Sequence, residues 1–257
     1  RAFPDILNSA NFKGVLDGEL LVARNGIAAP FAELQKRLGR KTTTKKLLTE
    51  HPAHFRVYDI LFDENEDLRT QPLEARRKKL ETWADKQTAT NIDLSPLVLF
   101  KSWQELSEIR DGTRAAGIEG LMLKRRDSPY IAGRPKGAWF KWKRDPLVAD
   151  CVLMYAQRGH GKRSSYYSDY TFGCWRSSEE GEDELVPVGK AYSGFTNEEL
   201  VKLDRWVRAH ATDRFGPVRA VERGLVFEVA FDAVQSSTRH KSGLAMRFPR
   251  IHRIRWD

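Results

Sequence analysis

The sequence predicts an α+β chain in two parts, and three observations carry that reading. Strand and helix signals alternate through residues 1–145. After Asp145-Pro146 the texture changes to short strands separated by polar turns. A single helix interrupts those strands, and five strands with one inserted helix fit a small barrel of the OB type over residues 146–257.

In the first part, residues 14–22 read as a strand entering a turn at Asn25-Gly26, and residues 31–38 as a short amphipathic helix after Pro30. The aromatic and branched run "HFRVYDILF" (54–62) is a strand. Residues 73–84 form a helix with Leu73, Leu80 and Trp83 inward and Arg76-Arg77-Lys78-Lys79 mostly outward. Ser102 and Glu105 have capping-box spacing, so a helix runs from Trp103 to a stop at Gly117. Strands follow at 120–124 and 139–142. In the second part, strands are expected at 151–156, 170–175, 185–192, 224–231 and 251–256. The helix, opened by a box at Thr196 and Glu199, carries Leu200, Leu203, Trp206 and Val207.

The excess of 44 Lys+Arg over 35 Asp+Glu gives a net charge of +9, a balance that suits polyanionic partners. Cys151 and Cys174 lack CxxC spacing and local histidines, which favours reduced buried thiols over a zinc site. No apolar run is long enough to span a bilayer as a helix.

Four stretches carry chemistry when taken together: "LDGEL" (16–20), "FRVYDIL" (55–61), "EGLMLKR" (119–125) and "WFKWK" (139–143). Period-2 spacing points Lys141 and Lys143 to one side, a two-ammonium clamp for a phosphate. Glu19 and Glu119 are carboxylates able to hold a divalent metal or ribose hydroxyls. Tyr58 and Met122 offer a flat and a soft apolar surface for a purine. Singly, each residue is more economically a solvated strand end or core packing. Jointly they make a nucleotide site.

The order and wording of these stretches resemble the ATP-dependent DNA ligases, in the covalent nucleotidyltransferase superfamily. The resemblance implies an adenylation domain (ATP-grasp-like nucleotidyltransferase, partial here) over 1–145 and an OB-fold domain over 146–257. It assigns Glu19 to the ribose, Tyr58 (where Phe is more usual) and Met122 to the two faces of adenine, Glu119 to a metal, and Lys141 and Lys143 to the α-phosphate. The ending "SGLAMRFPRIHRIRWD" is similar to the family's last motif, R-x-D-K, with Arg255 and Asp257 matched and the final lysine absent. That segment is expected to orient pyrophosphate.

The family's nucleophile lies in K-x-D-G, which occurs nowhere in this sequence; Lys13 stands four residues before Asp17, not two. Lys13 is therefore expected to be an exposed residue at a strand start. An opening at Arg1 and an ending one residue short of the motif suggest truncation at both ends. The resemblance implies ATP and Mg²⁺ as cofactors, nicked duplex DNA as partner, a monomer, and a cytoplasmic setting at a bacterial nucleoid. Arg158, Lys162 and Arg163 in the turn "QRGHGKRSSYY" are candidate DNA phosphate contacts. Two other readings stay open: an RNA ligase or capping guanylyltransferase, separable by base preference, and a non-catalytic OB-type binder.

Overall fold

The computed structural model describes residues 1–113, 118–133, 135–177 and 181–257. The chain divides into two units, Arg1–Arg144 and Asp145–Asp257. Among the described residues no helix is long and apolar enough to cross a membrane.

The first unit is built on two long antiparallel strands, β1 (Gly14–Arg24) and β3 (Ala53–Asp63). Short β2 (Ile27–Ala28), β4 (Glu66–Asp67) and β5 (Ile92–Leu94) extend them. Asn25 and Gly26, both at positive φ, make the tight β1–β2 turn. Helices α1 (Pro4–Ser9), α2 (Phe31–Gln35), α3 (Lys45–Glu50), α4 (Leu73–Ala84) and α5 (Trp103–Gly112) complete the set. Val57, Ile60, Leu68, Leu80 and Ile92 form its core, with α4 laid against β3. A separate ribbon pairs β6 (Gly120–Lys124) with β7 (Trp139–Lys143).

Three expectations are corrected here. Helix α2 stops at Gln35, short of residue 38, because Arg37 turns inward to bond Asp5 at 2.6 and 2.7 Å and the His51 carbonyl at 2.9 Å. Gly39, at φ +71°, then ends the segment. Arg76 is not outward: its side chain is 0% exposed and paired with the equally buried Asp59. Ser102 caps the Glu105 N–H, but the Glu105 carboxylate accepts from Lys101 N rather than closing the box. Helix α5 ends at Gly112, and the stop expected at Gly117 lies outside the described residues.

The second unit is a curled antiparallel sheet. Strand β8 (Leu147–Arg158) pairs with β9 (Tyr167–Ser177), and β9 with β10 (Asp183–Ala191). After α6 (Asn197–Ala209) comes a hairpin of β11 (Ala211–Phe215) and β12 (Val218–Val221), then β13 (Val226–Phe231), which lies between β8 and the last strand. A second hairpin, β14 (Ala233–Ser236) with β15 (Leu244–Arg247), precedes that strand, β16 (Arg250–Arg255). The Ile251 N–H donates to Ser193 O at 3.0 Å, bringing the last strand to the end of β10 in the manner of an OB barrel. Gly194 allows that approach: at φ +98°, an added Cβ would stand 2.0 Å from Ile251 O. The core includes Leu153, Tyr170, Phe172, Leu203, Phe227 and Ile254. Thr196 and Glu199 form the full capping box of α6. The two hairpins were not foreseen, and neither alternates cleanly between buried and exposed positions.

Candidate active site

The site in the first unit is set by a break in strand register. Asp17 lies opposite Asp59 but Gly18 lies opposite Val57, which leaves Tyr58 as the extra residue of a β-bulge. Bulges re-aim side chains. Here the Tyr58 ring meets the Lys124 ammonium, 4.2 Å from the ring centroid. The Tyr58 hydroxyl donates to Asp17 Oδ1 at 3.0 Å, and the Tyr130 hydroxyl donates to Asp17 Oδ2 at 2.7 Å. Asp17 therefore orients two tyrosines at once.

The β6–β7 ribbon supplies the opposing surface. Its register sets Gly120 against Lys143, Met122 against Lys141 and Lys124 against Trp139. Directly opposed residues share a face, so Met122, Lys124, Trp139, Lys141 and Lys143 lie together. Trp142, on the other face, meets Trp103 edge-on at 6.3 Å and carries the Arg110 guanidinium 4.8 Å from its centroid, so α5 backs the ribbon. Gly120 permits the pairing to begin: at φ +147°, a Cβ there would stand 2.4 Å from Trp142 O.

Electrostatics follow from burial. Lys124 lies over both Tyr58 and Trp139, the latter centroid 3.8 Å away, and burial holds its ammonium down at about 8 despite the pull of Asp59 and Asp17. Burial and the Asp17 carboxylate push Tyr130 up to about 12 and raise Tyr58 as well. Beneath them, Arg76 grips Asp59 through two hydrogen bonds of 2.8 and 2.9 Å and donates to Ser128 O at 3.0 Å. That pair anchors both the residue after Tyr58 and the segment leading to Tyr130.

Of the sequence-derived residues, the ribbon gathers Met122, Lys141 and Lys143, and Lys124 links them to Tyr58. Lys143 Nζ lies 3.2 Å from Glu119 Oε2. Glu19 is exposed on β1, opposite Arg56. Lys13 is exposed just before β1. No group of three or more His, Cys, Asp or Glu among the described residues is placed to hold a metal ion by itself. A single accessible carboxylate, such as Glu119 or Glu19, suits a hard cation whose remaining ligands are phosphate and water, the usual manner of Mg²⁺. Asp17, Lys124 and Tyr130 were missed by sequence reasoning. Lys124 was findable, two residues from Met122 and hence on its face; Tyr130 is in a loop without periodicity.

In the second unit, Arg158, Lys162 and Arg163 are all exposed. Arg158 closes β8 and rests over the Tyr167 ring, Lys162 sits in a 3₁₀ turn (Gly161–Arg163), and Arg163 covers Phe195 and donates to Tyr192 O. Arg255 lies 3.6 Å from both Asp150 and Glu228 and 3.4 Å from Asp257, so the end of the last motif is held by ion pairs on the barrel.

Comparison with known proteins identifies the family of the chain. Residues 3–143 match the family model for the ATP dependent DNA ligase domain, and residues 163–257 that for the ATP dependent DNA ligase C terminal region. A probable DNA ligase of Koribacter versatilis is 37% identical across the whole chain, which covers 48% of that protein. The DNA ligase of Archaeoglobus fulgidus is 32% identical, again across the whole chain and 46% of the relative. The chain thus spans about half the length of these curated relatives. A Lig E DNA ligase structure shares the fold at a TM-score of 0.66 and 21% identity, over 97% of this chain and 80% of that one. The Pmar-Lig_PreS3 structure does so at 0.71 and 19% identity, over 99% and 56%. With an adenylation-type unit and an OB-like unit each matched, the chain belongs to the ATP-dependent DNA ligase family.

Proposed function

We propose that this chain is the portion of an ATP-dependent DNA ligase that binds the adenylate and seals nicks in duplex DNA, in the service of repair or replication. The observation that carries this reading is the single ribbon face holding Met122, Lys141 and Lys143, joined to Tyr58 through Lys124. Adenine stacks between Tyr58 and Met122, and Glu19 takes the ribose. Lys141 and Lys143 meet the α-phosphate, and Arg255 and Asp257 attend the pyrophosphate during enzyme adenylylation. Glu119 and Glu19 would hold Mg²⁺, which when bound would supply positive charge to the phosphate oxygens.

In the complete reaction a lysine takes AMP from ATP, AMP passes to the 5′-phosphate at the nick, and the 3′-hydroxyl displaces AMP. Each transfer spreads negative charge over phosphate oxygens, so fixed ammonium groups lower the barrier by electrostatics and positioning. Without K-x-D-G in its sequence, this chain addresses the last step: the 3′-oxygen bonds to the 5′-phosphorus as the bond to AMP breaks. Arg158, Lys162 and Arg163 bind DNA phosphates from the barrel. The protein acts as a monomer on DNA in the cytoplasm, at the nucleoid.

The test is sealing of a synthetic nick already carrying AMP on its 5′-phosphate, with Mg²⁺ and no ATP. The chain is expected to seal it, and a Lys141→Ala/Lys143→Ala double variant that keeps its fold is expected to lose most of that activity. Equal sealing by the double variant contradicts the phosphate role of the two lysines.

A further inference from the structure

The two cysteines of the chain come from separate strands and meet. In the antiparallel β8–β9 pair, Val152 lies opposite Gly173, so the next step along the ladder sets Cys151 against Cys174. Their Sγ atoms are 3.6 Å apart, and both are free thiols. Directly opposed residues of antiparallel strands have Cβ atoms about 4.5–5.5 Å apart. A disulfide wants about 3.5–4.5 Å, so rotation at χ1 and a slight approach of the strands suffice. The two sulfurs differ in access. Cys151 is 0% exposed in the barrel core, whereas Cys174 is partly exposed. They also differ in reactivity: the Cys151 thiol hydrogen-bonds to Cys174 and lowers its pKa, while that bond and burial raise Cys151. An accessible, more acidic thiol beside a buried one is the arrangement of an attacking and a resolving cysteine.

We propose that Cys174 is a peroxide-oxidation site that Cys151 resolves into an intrachain disulfide. The Cys174 sulfur attacks one peroxide oxygen, the O–O bond breaks, and the departing hydroxide leaves as water after taking a proton. The resulting sulfenic acid is attacked at sulfur by Cys151. Its hydroxyl departs with the Cys151 proton as a second water. Two thiols are oxidised to one disulfide while one peroxide is reduced to two waters. The link joins β8 to β9 in their existing register, so the oxidised barrel stays folded and becomes harder to unfold. It also fixes the strand that carries Asp150, whose carboxylate lies 3.6 Å from Arg255.

The inference stands apart from the ligation chemistry and is tested without it. The reduced, desalted chain is treated with hydrogen peroxide, alkylated, weighed intact and mapped by digestion without reductant. The expected product is a monomer lighter by two hydrogens, with the peptides of Cys151 and Cys174 linked and a thermal midpoint above that of the reduced chain. Cys151→Ser is expected to stop at a sulfenic acid that dimedone captures on Cys174, and Cys174→Ser to react several-fold more slowly than wild type. Two thiols still open to alkylation, a disulfide between chains, or a Cys174→Ser variant oxidised as fast as wild type would each overturn the proposal.

Discussion

Replacing Arg76 by methionine isolates the pair on which the site rests. Both side chains of the Arg76–Asp59 pair are fully buried, and the guanidinium makes two hydrogen bonds to the carboxylate and two more to the carbonyls of Gln71 and Ser128. Methionine fills most of the volume but leaves the Asp59 carboxylate facing the Ile60 N–H without its cation. Removing one member of a buried ion pair costs about 3–5 kcal/mol, because an uncompensated charge stays behind. Unfolding entropy near 2.1 cal/mol/K per residue, over the length of unit Arg1–Arg144, converts that cost to a fall of about 10–17 °C in thermal midpoint. Differential scanning calorimetry of the first transition measures it. The double variant Asp59→Leu/Arg76→Met removes the stranded charge and is expected to recover at least half the fall. A single variant within about 2 °C of wild type, or a double variant as unstable as the single, would show that the Asp59 charge does not depend on Arg76.

Two further outcomes follow from the same geometry. Lys124 is held at about 8 against an ordinary value of 10.5, so between those two values the unfolded chain binds a proton that the folded chain has released. Stability from this group therefore rises with pH across that window, and wild type should gain about 2 kcal/mol relative to Lys124→Met between pH 8 and pH 10 in urea titrations; parallel curves would contradict it. Duplex-DNA affinity should fall steeply with salt, and replacing Arg158, Lys162 and Arg163 by alanine should flatten the log–log slope by about 0.9 for each DNA phosphate left without a cation. An unchanged slope would remove those residues from the interface.

Much of the fold was legible because the aromatic and branched run at 54–62 lies within β3 and the strand expected at 139–142 forms most of β7. The ribbon face was readable too: alternation alone sets Lys141 beside Lys143. What the sequence hid were interactions made at long range. Arg76 looked like one of four basic residues on a helix, and only the fold shows that it faces the carboxylate of Asp59, 17 residues away. Asp17 and Tyr130 are 113 residues apart, and no local pattern announces that they bond. The short hairpins escaped because exposed strands need not alternate, and the early end of α2 reflects the inward turn of Arg37 rather than any helix breaker before Gly39.

In the proposed function, the Tyr58 platform and the ribbon face form an adenine nucleotide site. Isothermal titration of the chain with ATP and Mg²⁺, beside GTP and beside the Lys141→Ala/Lys143→Ala variant, tests it most directly. Saturable 1:1 binding of ATP is expected, with weaker binding of GTP and at least tenfold weaker ATP binding by the double variant, about 1.4 kcal/mol. Absence of heat with ATP, or equal affinity in wild type and double variant, would contradict it.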